Sequence, residues 1–212
     1  MSDRRSRSSA RGRLQSLATH HAITATSQAI LGLLERACPK PEFGGAAFEL
    51  YQCKDFQKPM DEGLSLYLYR VATSSRRNLP SRTGPDGQQY LPSLPLDVYY
   101  LLTAWAKTAA KQQRLLGFCI RELGDTPILP ASLLNHFGPE HDTIGPNEAV
   151  ELIFEPLSLQ EMSYLWEPLK PNIQPSASYV ARMISIDSSV EISNARLVQT
   201  REFDFAKAGE AR

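Results

Sequence analysis

Few residues in the sequence could carry catalytic or metal-binding chemistry, and their spacing matches no common motif. They are the histidines and cysteines His20, His21, His136, His141, Cys38, Cys53 and Cys119. A nucleophilic cysteine needs an imidazole within hydrogen-bond reach, which spacing along the chain does not establish. Cys119 lies between Phe118 and Ile120 in a predicted helix, so we interpret it as a small buried hydrophobe. Three widely spaced cysteines predict a reducing compartment with neither disulfides nor a zinc site.

A metal site at His136 and His141 is the sharpest remaining chemical hypothesis. The two lie five residues apart in a loop, and Glu140 and Asp142 flank the second. No nearby cysteine or third histidine completes a ligand set. The sequence also lacks the phosphate-binding, dinucleotide-binding, nucleophile-elbow and zinc-protease motifs. We therefore expect a protein that is not an enzyme, without catalytic residues, cofactor or metal.

The chain is organised around residues 92–106, an apolar and aromatic run that predicts a strand. The strand leads directly into a predicted helix at 107–123, which ends at Gly124. The alternative is one long helix over 97–123, but the residues at its start favour strand. Residues 64–73 alternate with both faces apolar, which predicts a central strand covered on each side. The remaining predicted elements are helices at 21–38, 130–137 and 158–169, the last with a capping box at Ser158 and Glu161, and strands at 47–53, 149–155 and 179–187.

This order predicts an α+β fold with a mixed, mainly antiparallel sheet flanked by helices. We expect a disordered Arg/Ser-rich arm at 1–18, one α+β domain at 19–190, and an extended segment with a polar tail at 191–212. Residues 74–94 are polar and rich in turn residues, so they are predicted to form an exposed arm.

Charge is balanced overall but unevenly placed. The formal net charge is zero, which gives no general attraction to nucleic acid, membrane or acidic substrate. Five arginines, however, crowd the first sixteen residues: Arg4, Arg5, Arg7, Arg11 and Arg13. The arm either contacts nucleic acid or another acidic surface, or is a solvated tail. No apolar core follows it, so we do not expect a signal peptide, and no run is long enough to span a bilayer.

A series of short segments resembles one family: LSLYLYRV at 64–71, Arg77-Asn78, PSLPLDVYYLLTA at 92–104, LLG at 115–117, LSLQEMSYLW at 157–166 and PSASYV at 175–180. In order and spacing these are similar to the cap, or tail-terminator, proteins of extracellular contractile injection systems of the virulence-cassette and antifeeding-prophage type. The resemblance covers about residues 21–187, and it is weak in the N-terminal arm and after Asp187.

The resemblance implies the terminator fold of contractile phage tails and a non-enzymatic structural protein. Such a protein forms a hexameric ring that closes the distal end of the inner tube and sheath, assembling in the cytoplasm into a released phage tail-like particle. Tube, sheath and other copies of the chain are the implied partners, with no membrane and no nucleic acid. Candidate contacts are Arg70, Arg76, Arg77 and Asn78, since a planar guanidinium pairs bidentately with carboxylates. The alternatives are an adaptor binding nucleic acid or an acidic partner through the arm, and a Cys/His hydrolase that depends on Cys119.

Overall fold

The computed structural model describes residues 20–75, 79–83, 87–138, 143–169 and 173–192. The strands are β1 Ala47–Tyr51, β2 Gly63–Thr73, β3 Arg82–Thr83, β4 Gln89–Tyr90, β5 Leu94–Trp105, β6 Ile128–Pro130, β7 Ala149–Phe154 and β8 Ser176–Ile186. Six of them form one sheet in the order β1-β2-β5-β8-β7-β6, and β3 and β4 form a separate hairpin. The α-helices are α1 Ala22–Ala37, α2 Lys40–Phe43, α3 Ala109–Asp125, α4 Ala131–Phe137 and α5 Leu159–Trp166, and a 3₁₀ helix spans Cys53–Gln57.

Strand pairing is antiparallel throughout the sheet except between β1 and β2. The predicted mixed, mainly antiparallel sheet with helices is therefore confirmed. At the start of the parallel pair, Gly63 lies opposite Ala47 with φ +152°. A Cβ at this position would meet the Ala47 carbonyl oxygen at 2.2 Å. Only glycine permits this close approach of two backbones.

One face of the sheet is covered by α1, α3 and α4. Alternate residues of β5 point into this layer, from Leu96 to Ala104, and all are buried. In α1 the apolar stripe includes Ile30, Leu31 and Leu34, as the sequence periodicity predicts. The hydroxyls of Ser27 and Tyr100 share a hydrogen bond of 2.8 Å across this layer, so the two buried polar groups satisfy each other.

The opposite face carries a smaller aromatic cluster around Phe56, which is fully buried. Its ring lies 5.3 Å from that of Tyr51, 6.1 Å from Trp105 and 5.5 Å from Trp166. Trp166 belongs to α5, whose start is the predicted capping box: Ser158 Oγ accepts from the Glu161 amide, and Glu161 accepts from the Ser158 amide. The capping box starts α5 shortly after β7 ends, and α5 then packs over one half of this face of the sheet.

Several sequence predictions differ from the structure. Residues 74–94 are not only an exposed arm, because they contain the β3–β4 hairpin, to which Glu191 adds a bridge opposite Tyr90. Strand β6 was not predicted, since three residues give no periodicity. Helix α3 does not stop at Gly124 but continues to Asp125, and Cys119 is buried in it as expected. Leu159, the first residue of α5, is 82% exposed.

Candidate assembly surface

Helix α5 covers only part of the sheet face that carries the aromatic cluster. Burial declines along β2, so the expectation that this strand is covered on both sides holds only for its first half. We call the uncovered part of this sheet face the open face. Its residues are Tyr69, Arg70, Asp97, Tyr99, Glu155 and Arg182, contributed by β2, β5 and β8 and by the residue that follows β7.

A β-bulge in β2 positions two of these side chains. The register with β5 shifts between Leu68 and Arg70, which places Tyr69 and Arg70 on the same face. Arg70 lies over the ring of Tyr99, with Cζ 4.9 Å from the centroid. Tyr69 shares a hydrogen bond of 2.8 Å with the Ser178 hydroxyl. Burial raises the pKa of Tyr69, despite that hydrogen bond, so the phenol stays protonated at neutral pH.

A second bulge, between β5 and β8, positions the charged residues. The register shifts at Leu96 and Val98, opposite Arg182 and Met183, and Met183 has φ 71°. Arg182 Nη2 lies 3.9 Å from Glu155 Oε2, an ion pair too long for a hydrogen bond. Among the described residues, Asp97 Oδ1 and Glu155 Oε2 are both shielded from solvent and have no hydrogen-bond partner. Two carboxylate oxygens of the open face are therefore left without a donor from the described residues.

Next to the open face, Arg82 joins the hairpin to the end of β8. Its Nε lies 3.6 Å from Asp187 Oδ2, and its Nη2 donates to the Ser188 carbonyl at 3.4 Å. Arg82 also lies over the ring of Tyr90, 4.9 Å from the centroid. Ser93 donates to Asp187 at 2.6 Å. The hairpin is therefore held by one arginine and one carboxylate as well as by backbone pairing.

Only one of the four predicted contact residues, Arg70, lies within the part of the chain that the structure describes. Arg70 is exposed and lies on the open face, as a contact residue must. Arg76, Arg77 and Asn78 lie outside the described residues. So do the five arginines of the arm and His141 with its two acidic neighbours. These assignments stay predictions.

Two of the three cysteines lie where burial disfavours a reactive thiolate. Cys119 is fully buried, and burial raises its pKa, so the reactive thiolate is disfavoured. The pKa of Cys38 is also raised, mainly by burial and further by Glu35. In the ranges that the structure describes, no group of three or more His, Cys, Asp and Glu side chains could hold a metal ion. No helix within those ranges is long and apolar enough to cross a bilayer.

A model of the Pvc16 N-terminal domain family matches residues 25–200. The chain belongs to the Pvc16 N-terminal domain family. The resemblance read from its sequence is thereby confirmed. No curated protein sequence matches the chain.

Two solved structures share the fold of this Pvc16 N-terminal domain. The first is a sheath/tube terminator of an extracellular contractile injection system, PVC, in its extended state, with TM-score 0.60 and 13% identity, covering 90% of this chain and 65% of the other. The second is the tube-terminating cap of the anti-feeding prophage, with TM-score 0.54 and 14% identity, covering 84% of this chain and 60% of the other. The chain thus spans somewhat less than two thirds of either protein.

The sequence did not single out Tyr69, Tyr99, Asp97, Glu155 or Arg82. The strand periodicity placed the tyrosines in a sheet, but two bulges decide which of their neighbours share a face with them. A bulge leaves no clear signal in a single sequence. Arg82 sits in a polar stretch where nothing distinguishes it from solvated arginines.

Proposed function

We propose that this chain is a terminator subunit of a contractile injection particle. It forms a hexameric ring that closes the distal end of the inner tube and sheath, and so sets where polymerisation stops. It assembles in the cytoplasm and remains in the released particle. The observation that carries the proposal is the fold, shared over most of the chain with a sheath/tube terminator and a tube-terminating cap, within a family match over residues 25–200.

The surface chemistry supports a structural role. Ring subunits need exposed faces that pair with neighbours, and the open face offers tyrosines, one stacked arginine and partly shielded carboxylates. Aromatic residues and arginine are enriched where proteins contact each other. Of the three cysteines, Cys38 and Cys119 have a pKa that burial raises, which disfavours a reactive thiolate at both. A scaffold subunit therefore fits better than an enzyme.

The test is to measure the mass of the purified chain by light scattering, and to image it by negative stain alone and with purified inner tube. A six-subunit ring, or a density added to one end of each tube, is the expected result. Tubes polymerised with the chain present should also be shorter. A monomer that leaves tube ends unlabelled and tube length unchanged would overturn the proposal.

Matched variants sharpen the test. Arg70→Ala removes the guanidinium that stacks on Tyr99 at the open face. Arg121→Ala removes another exposed arginine, on α3, whose partner is Asp125 on the same helix. Capping should weaken with the first substitution and not with the second, because only Arg70 lies on the surface proposed for contact.

A further inference from the structure

The open face contains two acceptors that lack a donor. Asp97 Oδ1 and Glu155 Oε2 are shielded from water, and no described residue donates a hydrogen bond to either. The nearest cation to Glu155 is Arg182, whose Nη2 lies 3.9 Å away. A carboxylate oxygen withdrawn from water without a donor is costly. An incoming group with several N–H donors would relieve that cost.

The same face already binds a guanidinium by its aromatic rings. Arg70 lies 4.9 Å above the centre of the Tyr99 ring, and the Tyr69 ring lies 6.1 Å from that of Tyr99. Tyrosine faces attract guanidinium groups through the ring quadrupole. Carboxylates beside tyrosine rings therefore fit arginine better than lysine, since a planar guanidinium can both stack and donate bidentate hydrogen bonds.

The chain itself supplies such a group. Residues 1–19 contain five arginines, one aspartate and no lysine. The described residues contain sixteen acidic residues against eleven lysines and arginines, so they carry a formal charge of −5. Opposite charges on the two parts favour their encounter.

We propose that the arginine-rich segment of one copy binds the open face of a neighbouring copy. Helix α1, which follows the segment directly, packs on the opposite side of the sheet from the open face. The point where the segment joins α1 and the open face thus lie on opposite sides of the sheet. Contacts of this head-to-tail kind close into rings when the rotation between copies permits it. The inference rests on the proposed ring.

The first arm of the experiment uses a fluorescent peptide of residues 1–19. It is titrated by anisotropy against the full chain in which Arg4, Arg5, Arg7, Arg11 and Arg13 are changed to Gln, so that no resident segment competes. Binding should weaken about tenfold when Asp97→Asn and Glu155→Gln are added, because charge-assisted hydrogen bonds are lost. The control for this pair is Glu35→Gln with Glu49→Gln, which neutralises two exposed carboxylates that do not belong to the open face.

A peptide with Lys in place of all five Arg separates guanidinium recognition from plain charge attraction. The Lys peptide should bind about tenfold more weakly, since lysine can neither stack as a plane nor donate two parallel hydrogen bonds. Equal binding of both peptides, or equal binding to the two pairs of surface variants, would overturn the proposal.

The second arm asks which copy the segment occupies. The wild-type chain should have a larger mass in light scattering than either the five-Arg→Gln variant or the Asp97→Asn, Glu155→Gln variant. Mixing the two variants should restore part of that mass, because one supplies the segment and the other the face. If the peptide binds but the wild type and the five-Arg→Gln variant have the same mass, the segment lies on its own subunit and the inference is wrong.

Failure of this inference and failure of the proposed function give different results. A chain that caps tubes but whose open face ignores the peptide keeps its function and loses the segment contact. A chain that binds the peptide but neither forms a ring nor labels tube ends loses the terminator function.

Discussion

Arg82 and Asp187, 105 residues apart in sequence, lie 3.6 Å apart and join the β3–β4 hairpin to the end of β8. Asp187 is the more buried partner, with a side chain only 9% exposed against 23% for Arg82. The pair is therefore less screened by solvent than the other ion pairs of the described residues. It connects two parts of the structure that backbone pairing joins only weakly.

Substituting Arg82→Ala should release the hairpin. It leaves Asp187 without its guanidinium partner, and removal of one partner from a shielded pair costs about 1–3 kcal/mol. Amide hydrogen exchange at Leu91 and Ile192, whose N–H groups bond to Val190 and Gln89, should accelerate. Arg114→Ala is the control, because its pair with Glu42 is exposed and is expected to contribute about 0–1 kcal/mol. Unchanged exchange at both amides would contradict the role of Arg82.

Contacts within the aromatic cluster should hold α5 against the sheet. Phe56→Ala removes a fully buried ring that contacts Tyr51, Tyr67, Trp105 and Trp166, and such losses cost about 3–5 kcal/mol. Tryptophan fluorescence should shift to longer wavelength as Trp166 becomes hydrated. Leu159→Ala on the exposed side of α5 should change the free energy of unfolding by less than about 0.5 kcal/mol. Similar effects from both substitutions would argue against the cluster.

Met183 occupies a strained backbone conformation, and glycine should relieve it. Its φ of 71° costs a non-glycine residue about 1–2 kcal/mol, while a glycine in a strand costs about 0.5–1 kcal/mol of entropy. Met183→Gly should therefore be neutral or stabilising by up to about 1.5 kcal/mol in urea unfolding. Met183→Ala keeps the strain and loses the side chain, so it should be less stable than the glycine variant. The reverse order would show that the bulge is not strained.

Glu148 should make stability depend on pH in the opposite sense to Glu62. Burial raises the pKa of Glu148, with Asp187 adding to the rise and the Gly145 amide and Arg82 opposing it. The folded chain then holds this proton more tightly, so its contribution to stability is full below the ordinary pKa of 4.5 and is lost as pH rises through the folded value. Glu148→Gln should gain stability relative to wild type between pH 4.5 and pH 7.5, measured by urea unfolding.

The control for that pH series is Glu62→Gln. A hydrogen bond from Lys111 holds the pKa of Glu62 below its usual range, so its contribution is present above 4.5 and is lost as pH falls through the lower folded value. Relative to wild type, this variant should lose stability as pH rises through the lower folded value to 4.5, and should change little between pH 4.5 and pH 7.5. If both variants changed in the same direction, the assignment of Glu148 would be wrong.

Thiol reactivity should follow burial and argue against a cysteine nucleophile. Cys53 is exposed, Cys38 is partly buried and Cys119 is fully buried. A disulfide reagent should modify Cys53 first and reach Cys119 only when the chain unfolds, because the raised pKa and burial both suppress its thiolate. Tube capping by Cys119→Ala should match wild type. Rapid modification of Cys119 in the folded chain would revive the hydrolase hypothesis.

The sequence by itself determined the identity of most elements. Helix α1, helix α3, helix α5 with its capping box, and strands β2, β5, β7 and β8 all follow from local periodicity and caps, which act over a few residues. The order and spacing of its short segments also carried the resemblance to the family, and the family match over residues 25–200 confirms it. Local physics is what a single sequence records best.

Only the tertiary structure decided what lies together on the surface. Whether Tyr69 and Arg70 share a face, and whether Asp97 and Glu155 find donors, depends on two bulges that shift the pairing of β5 with strands far away in sequence. The partner of Arg82 is set by where a hairpin folds back onto β8. Such contacts depend on register between distant strands, and no local preference encodes register: a one-residue shift carries every side chain to the other face.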